Sequence, residues 1–207
     1  MIDPAILLIF IPTFFVVSAT PGLCMTLALT MGMSIGVKKT FYMMYGELAG
    51  VALVSIAAVT GVAALMLNYP HVFVVLKYAG GLYLVYLGIG MIRARGRMAF
   101  DPDRLQQFDV SAKKLMIQGF VTAIANPKGW AFMISLLPPF IQPSKPFLGQ
   151  TLILVAIIII TEFICLVLYS SGGRSLRGFL EKSGNVRILN RISGMAMIGV
   201  GVWLGLD

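Results

Sequence analysis

Ala125-Asn126-Pro127-Lys128-Gly129-Trp130 interrupts an apolar run that extends from Leu115 to Ile141. The run is long enough to cross a bilayer, which takes about 20 apolar residues. A continuous helix there would hold Lys128 near mid-membrane, beside a proline that lacks a backbone donor. Irregular backbone and a charge are tolerated at that depth only inside protein or beside a water-filled cavity. The first apolar run carries a matching break, Ala19-Thr20-Pro21-Gly22. Two broken spans at corresponding places point to a transport site.

Composition bounds the class. Hydrophobic residues make up 58% of the 207 residues and charged residues only 12%. With a mean hydropathy of +0.92, the chain reads as an all-α integral membrane protein with short loops. Its formal charge of +8 sits in particular loops, so it signals membrane topology and no nucleic-acid partner. The first run lacks a positive leading segment, has only Asp3 before it, and is too long for the apolar part of a secretory leader. The two cysteines, Cys24 and Cys165, lie in apolar runs and make no disulfide framework.

Six runs reach spanning length: Pro4 to Met33, Thr40 to Leu67, Val72 to Ile92, Leu115 to Ile141, Phe147 to Ser171, and Ile192 (or Ile188) to Leu206. Basic residues gather after runs one, three and five: Lys38 and Lys39; Arg93 to Lys114; Arg174 to Arg191. The alternate loops hold only Lys145. The positive-inside rule then puts both termini outside and the basic loops in the cytoplasm. Residues 1–92 form a first three-helix unit, 93–114 a basic linker in which Asp101-Pro102 fits a helix start, and 115–207 a second unit. From Arg174 to Arg191 basic residues alternate with Leu176, Phe179, Leu180, Ile188 and Leu189. That pattern fits either an interfacial amphipathic helix broken at Gly184 or a solvated connector.

The two units correspond in order. Runs one and four carry the proline breaks, runs two and five each carry one acid (Glu47 and Glu162), and runs three and six share a glycine pattern, Gly81…Gly88 against Gly194…Gly201. Three spans per unit give the halves opposite topology, an inverted repeat. The pairs Gly32 and Gly36, Gly46 and Gly50, and Gly201 and Gly205 have the spacing of close helix packing, within the protein or across a homodimer face.

Several residues suit chemistry. Pro21-Gly22 frees carbonyls a turn earlier, and Thr20 either satisfies one of them or meets a ligand. Freed carbonyls and half-helix N-termini hold the ammonium and carboxylate of a small zwitterion; the plainer reading is a structural kink. Glu47 and Glu162 are costly in lipid and so face the interior, where they bind a cation or exchange protons. Lys128 is their opposite charge, in a substrate site or in a structural ion pair. Lys77 reads as an interfacial anchor, and Tyr78, Tyr83, Tyr86 and the thirteen methionines as packing material. Cys24 and Cys165 read as small buried residues; with no intramembrane His or ligand spacing, no metal site is expected. No nucleophile–base pair, phosphate loop or dinucleotide fingerprint occurs, so neither catalysis nor a cofactor is expected.

Along nearly its whole length the chain resembles the LysE/RhtB family of bacterial amino-acid exporters. The resemblance rests on Ser18-Ala-Thr-Pro-Gly-Leu-Cys24, Gly46-Glu-Leu-Ala-Gly50, Leu76-Lys-Tyr-Ala-Gly-Gly-Leu-Tyr-Leu-Val-Tyr-Leu-Gly88, Ala125-Asn-Pro-Lys128, and Thr161-Glu162 before Tyr169. Leu23 and Cys24 stand where the family usually has Pro-Asn, and Val51 where a polar residue is frequent. The resemblance implies export of an amino acid or a close relative across the bacterial inner membrane, driven by the proton gradient. The expected site lies between the breaks, with Thr20, Pro21, Gly22, Cys24, Asn126, Pro127 and Lys128 around the substrate and Glu47 and Glu162 for its ammonium or for protons. Three rivals are a thiol–disulfide electron carrier, a metal-cation exporter and a structural membrane subunit.

Overall fold

The computed structural model describes residues 3–93, 111–137, 140–142, 144–181 and 183–206. Among them lie eight helices: α1 (Pro4–Ala19), α2 (Leu23–Ile35), α3 (Val37–Asn68), α4 (Pro70–Arg93), α5 (Ala112–Ile124), α6 (Pro127–Leu136), α7 (Phe147–Glu181) and α8 (Ser183–Leu206). The described residues contain no strand. Two segments are long and apolar enough to cross a membrane singly, Val37–Gly61 and Phe147–Gly173. The pair Ile6–Ala19 and Leu23–Ile35 meets the same measure together, bent by 56° at Thr20 to Gly22.

Both breaks fall where the prolines place them. Pro21 has no N–H for the Val17 carbonyl four residues back, so α1 stops, and the chain restarts at α2 from the extended Gly22. At the second break Asn126 caps α6, its side chain accepting from the Lys128 N–H at 3.2 Å, and Pro127 takes the first turn, where no donor is needed.

Several expected boundaries move. The fifth run continues ten residues further, to Glu181, across a kink at Gly173 (φ 47°). The sixth begins at Ser183, so Gly184 lies inside α8 and not at a break. The polar residues there satisfy their backbone within a helix as well as apolar ones do, which hydropathy alone does not register. The Asp101-Pro102 helix start lies outside the described residues, as does the Lys77 side chain. Tyr78, Tyr83 and Tyr86 are not core: all three are exposed on α4, where a bilayer would solvate them.

Small residues bring the helices together, as lipid leaves little hydrophobic drive between them. A Cβ on Gly46 would overlap the Met116 carbonyl of α5, and one on Gly119 would overlap the Met43 carbonyl of α3. Gly32 of α2 meets the Ser170 backbone of α7 in the same way. Gly36, its partner in the spacing, has open space around it and serves instead as the α2 C-cap at φ 81°, a conformation L side chains avoid. Helices α4 and α8 run antiparallel with glycines facing: a Cβ on Gly88 or Gly194 would lie 2.5 Å from the other's carbonyl, and one on Gly201 lies 2.6 Å from that of Gly81.

Two cores result. One gathers Phe10, Phe14, Val17, Val54, Phe132, Phe140, Leu154 and Ile158, with Phe10 edge-on to Phe140 at 4.9 Å. The other gathers Cys24, Met25, Leu29, Met31, Met43, Met44, Leu115 and Tyr169. Both contribute to the wall of a cavity at the helix breaks.

Candidate functional site

The cavity holds about 60 Å³, room for a few water molecules. Thr20, Gly22, Cys24, Glu47, Asn126, Lys128 and Glu162 all line it. Residues far apart in the chain thus meet where the two helix breaks face each other. Pro21 is half-buried at the bend without lining the cavity, and the Pro127 side chain lies outside the described residues. Pro21 acts by ending α1, and Pro127 by opening α6.

The carbonyls freed in α1 find their donors in the second half of the chain. The Lys128 ammonium donates to the Val17 and Thr20 carbonyls, each at 3.4 Å. The Tyr169 hydroxyl donates to the Ala19 carbonyl at 2.7 Å. The Thr20 and Ser193 hydroxyls touch one another, and both reach the Val16 carbonyl, at 2.9 and 3.2 Å. Thr20 therefore satisfies the broken backbone. A cation at a helix C-terminus also meets the negative end of the helix dipole. At the other break, the Trp130 indole N–H donates to the Ile124 carbonyl at 2.8 Å.

For Lys128 the sequence leaves open a substrate contact or a structural ion pair with one of the acids. Instead its ammonium is engaged by carbonyls and lies 5.7 Å from the centre of the Phe132 ring. Glu162 is its electrostatic neighbour without closing an ion pair. Glu162 accepts a short hydrogen bond, 2.6 Å, from the Ser18 hydroxyl. Glu47, fully buried on α3, faces Glu162 and Cys24. Among the described residues neither of its carboxyl oxygens has a hydrogen-bond partner.

Both cysteines are buried and free. Cys24 lines the cavity and accepts from the Asn126 amide at 3.7 Å, whereas Cys165 packs into the methionine-rich core. The rest of the wall is apolar apart from Ser18, with Phe14, Val51, Val54, Phe132 and Met133 among its side chains. Sequence reasoning missed Ser18 and Ser193 as site-shaping residues. Ser18 lay within the quoted first motif, one turn before Gly22, whereas nothing in the sequence around Ser193 links it to the break.

Comparison with known proteins identifies the family. The chain is 27% identical over 195 residues to the homoserine/homoserine lactone efflux protein of Salmonella typhi, covering 94% of this chain and 93% of that protein. It is 27% identical over 184 residues to a leucine efflux protein of Klebsiella pneumoniae, covering 86% and 84%. It is 24% identical over 202 residues to an uncharacterized membrane protein of Vibrio cholerae, covering 98% and 97%. No solved structure matches the chain. The family profile of the LysE type translocators matches residues 15–207. The chain belongs to that family, and it is a membrane transporter rather than an enzyme.

Proposed function

We propose that the protein exports amino acids or closely related small metabolites from the cytoplasm, coupled to the entry of protons. The observation that carries this reading is the cavity at the two helix breaks, which joins two acids, half-helix ends and an apolar wall. Substrate binds between the broken spans, beside Thr20, Gly22, Cys24, Asn126 and Lys128. Glu47 and Glu162 serve its ammonium and the coupling proton. The relatives' names support the substrate class: homoserine, its lactone and leucine are small molecules carrying an amino group.

Six spans form two inverted three-helix units, α1 to α4 and α5 to α8, with both termini outside the bacterial inner membrane. The α4–α8 contact supports the repeat. Exchanging the halves sends Gly81 to Gly194 and Gly88 to Gly201, so the Gly88–Gly194 contact maps onto the Gly201–Gly81 contact. A pseudo-two-fold axis has that property. Rocking of one unit against the other exposes the cavity alternately to the two sides.

The test uses purified protein in liposomes loaded with labelled amino acids, with and without an imposed pH gradient. Efflux of a few amino acids that depends on the gradient is expected. Glu162→Gln, folded and inserted, loses the dependence on the gradient; an unchanged pH response in that variant removes Glu162 from the coupling role.

A further inference from the structure

Among the described residues Glu47 is the cavity carboxyl that no side chain holds in a well-formed hydrogen bond. It is fully buried and lines the cavity, its carboxyl facing the Cys24 thiol and Glu162. Buried polar groups are almost always partnered, so an orphaned one facing a cavity calls for a donor from a ligand. Glu162, by contrast, already has Ser18. The cavity's cation is also committed: Lys128 holds the Val17 and Thr20 carbonyls and lies against Phe132. Among the described residues no other Lys, Arg or His lines the cavity. The site therefore offers an unsatisfied acceptor to a cation and no free cationic side chain to an anion. Apart from the acids, Lys128 and the polar Ser18, Thr20, Cys24 and Asn126, its wall is hydrocarbon and aromatic, with Phe14, Val51, Val54, Phe132 and Met133 among its side chains.

We infer that the cavity recognises its substrate by a primary ammonium on Glu47 and an aliphatic body on the Val51–Val54–Phe132–Met133 wall, with a carboxylate dispensable. The ligand class is small aliphatic primary amines: amino acids with apolar side chains, their amides and esters, and the corresponding amines without a carboxylate. The inference rests on the cavity being the transport site. It goes further in naming which end of the substrate is gripped. An ammonium between Glu47 and Glu162 also offsets the repulsion of two facing acids, which an anionic ligand would worsen.

The test uses four probes built on one skeleton and the full-length protein in lipid nanodiscs. They are leucine, leucinamide, 3-methylbutylamine (no carboxylate) and 4-methylpentanoate (no amine). Ligand binding to the folded state raises the unfolding midpoint. The three amines are expected to raise it, and 4-methylpentanoate to bind about tenfold more weakly or worse. In Glu47→Gln the amines' affinity falls about tenfold or more. The comparison of ligands on the unaltered protein stands even if that variant does not fold. The inference is overturned if the acid stabilises as well as the amine, if none of the amines stabilises, or if folded Glu47→Gln keeps full amine affinity. Leucine efflux from liposomes is followed in parallel. Efflux without amine binding overturns this inference and leaves the exporter reading; amine binding without amino-acid efflux does the reverse.

Discussion

Lys128 shows how one residue changes meaning once its contacts are known. A lysine in an apolar run reads as half of an ion pair, yet its ammonium closes the C-terminal end of α1. Lys128→Met would leave the Val17 and Thr20 carbonyls without that donor, at a cost of about 1–3 kcal/mol. At about 2–4 °C per kcal/mol for a chain of this size, thermal unfolding in detergent would register it clearly. Tyr169→Phe removes the donor to Ala19 and should cost about 0.5–1.5 kcal/mol. Because Tyr169 does not line the cavity, substrate affinity should stay as it was, and a large fall in affinity would place the hydroxyl in the binding site. The breaks themselves were legible in the sequence, since a proline removes its own N–H wherever it stands. The donors that repair them were not. They come from 108 to 177 residues away, and no local pattern encodes such a pairing.

At the scale of the helix, glycine is where reading and structure diverge most usefully. The small-residue spacing correctly marked Gly46 and Gly50 as a packing face, here against α5. It could not separate Gly32, which meets the Ser170 backbone, from Gly36, which ends a helix at positive φ. Spacing reports which face a residue shares but says nothing of what lies opposite or of the backbone angles. Gly46→Val should drive α3 from α5, and the variant should lose its folded, monodisperse peak in size-exclusion chromatography. Gly61→Ala, with nothing within 4 Å of the added carbon, should stay within about 0.5 kcal/mol of the parent. Equal behaviour of the two variants would show that the α3–α5 contact is not what holds these helices together. The apolar runs of α1–α2, α3 and α7 were read well because length and hydropathy decide them. The C-terminal end of α7 and the start of α8 were misplaced because polar residues there belong to helices.

For the whole molecule, the proposed orientation has a direct check. Lys39→Cys and Ser144→Cys sit at exposed positions on opposite sides of the expected membrane, and both native cysteines are buried. A membrane-impermeant thiol reagent on intact cells should label position 144 and spare position 39; the reverse pattern would invert the topology. The candidate site was legible as two breaks and two acids, because each is unusual in an apolar run. Its assembly into one cavity was not, since that depends on how α3 and α7 pack across the breaks. The repair of α1 also bears on how the protein is made. Among the described residues every interhelical donor to the freed carbonyls near its end lies in the second half, with Tyr169 150 residues after Ala19. At roughly 5–20 residues per second, a ribosome needs on the order of 10 s to synthesise that interval. For that time the first span sits in the insertion machinery with only Thr20 to serve its freed carbonyls, and a messenger cut off before residue 128 would yield a segment without the donors that Ala19 and Thr20 receive from Tyr169 and Lys128. Such truncated products should be prime substrates for membrane proteolysis, so quality control of this transporter is timed by the arrival of its second half.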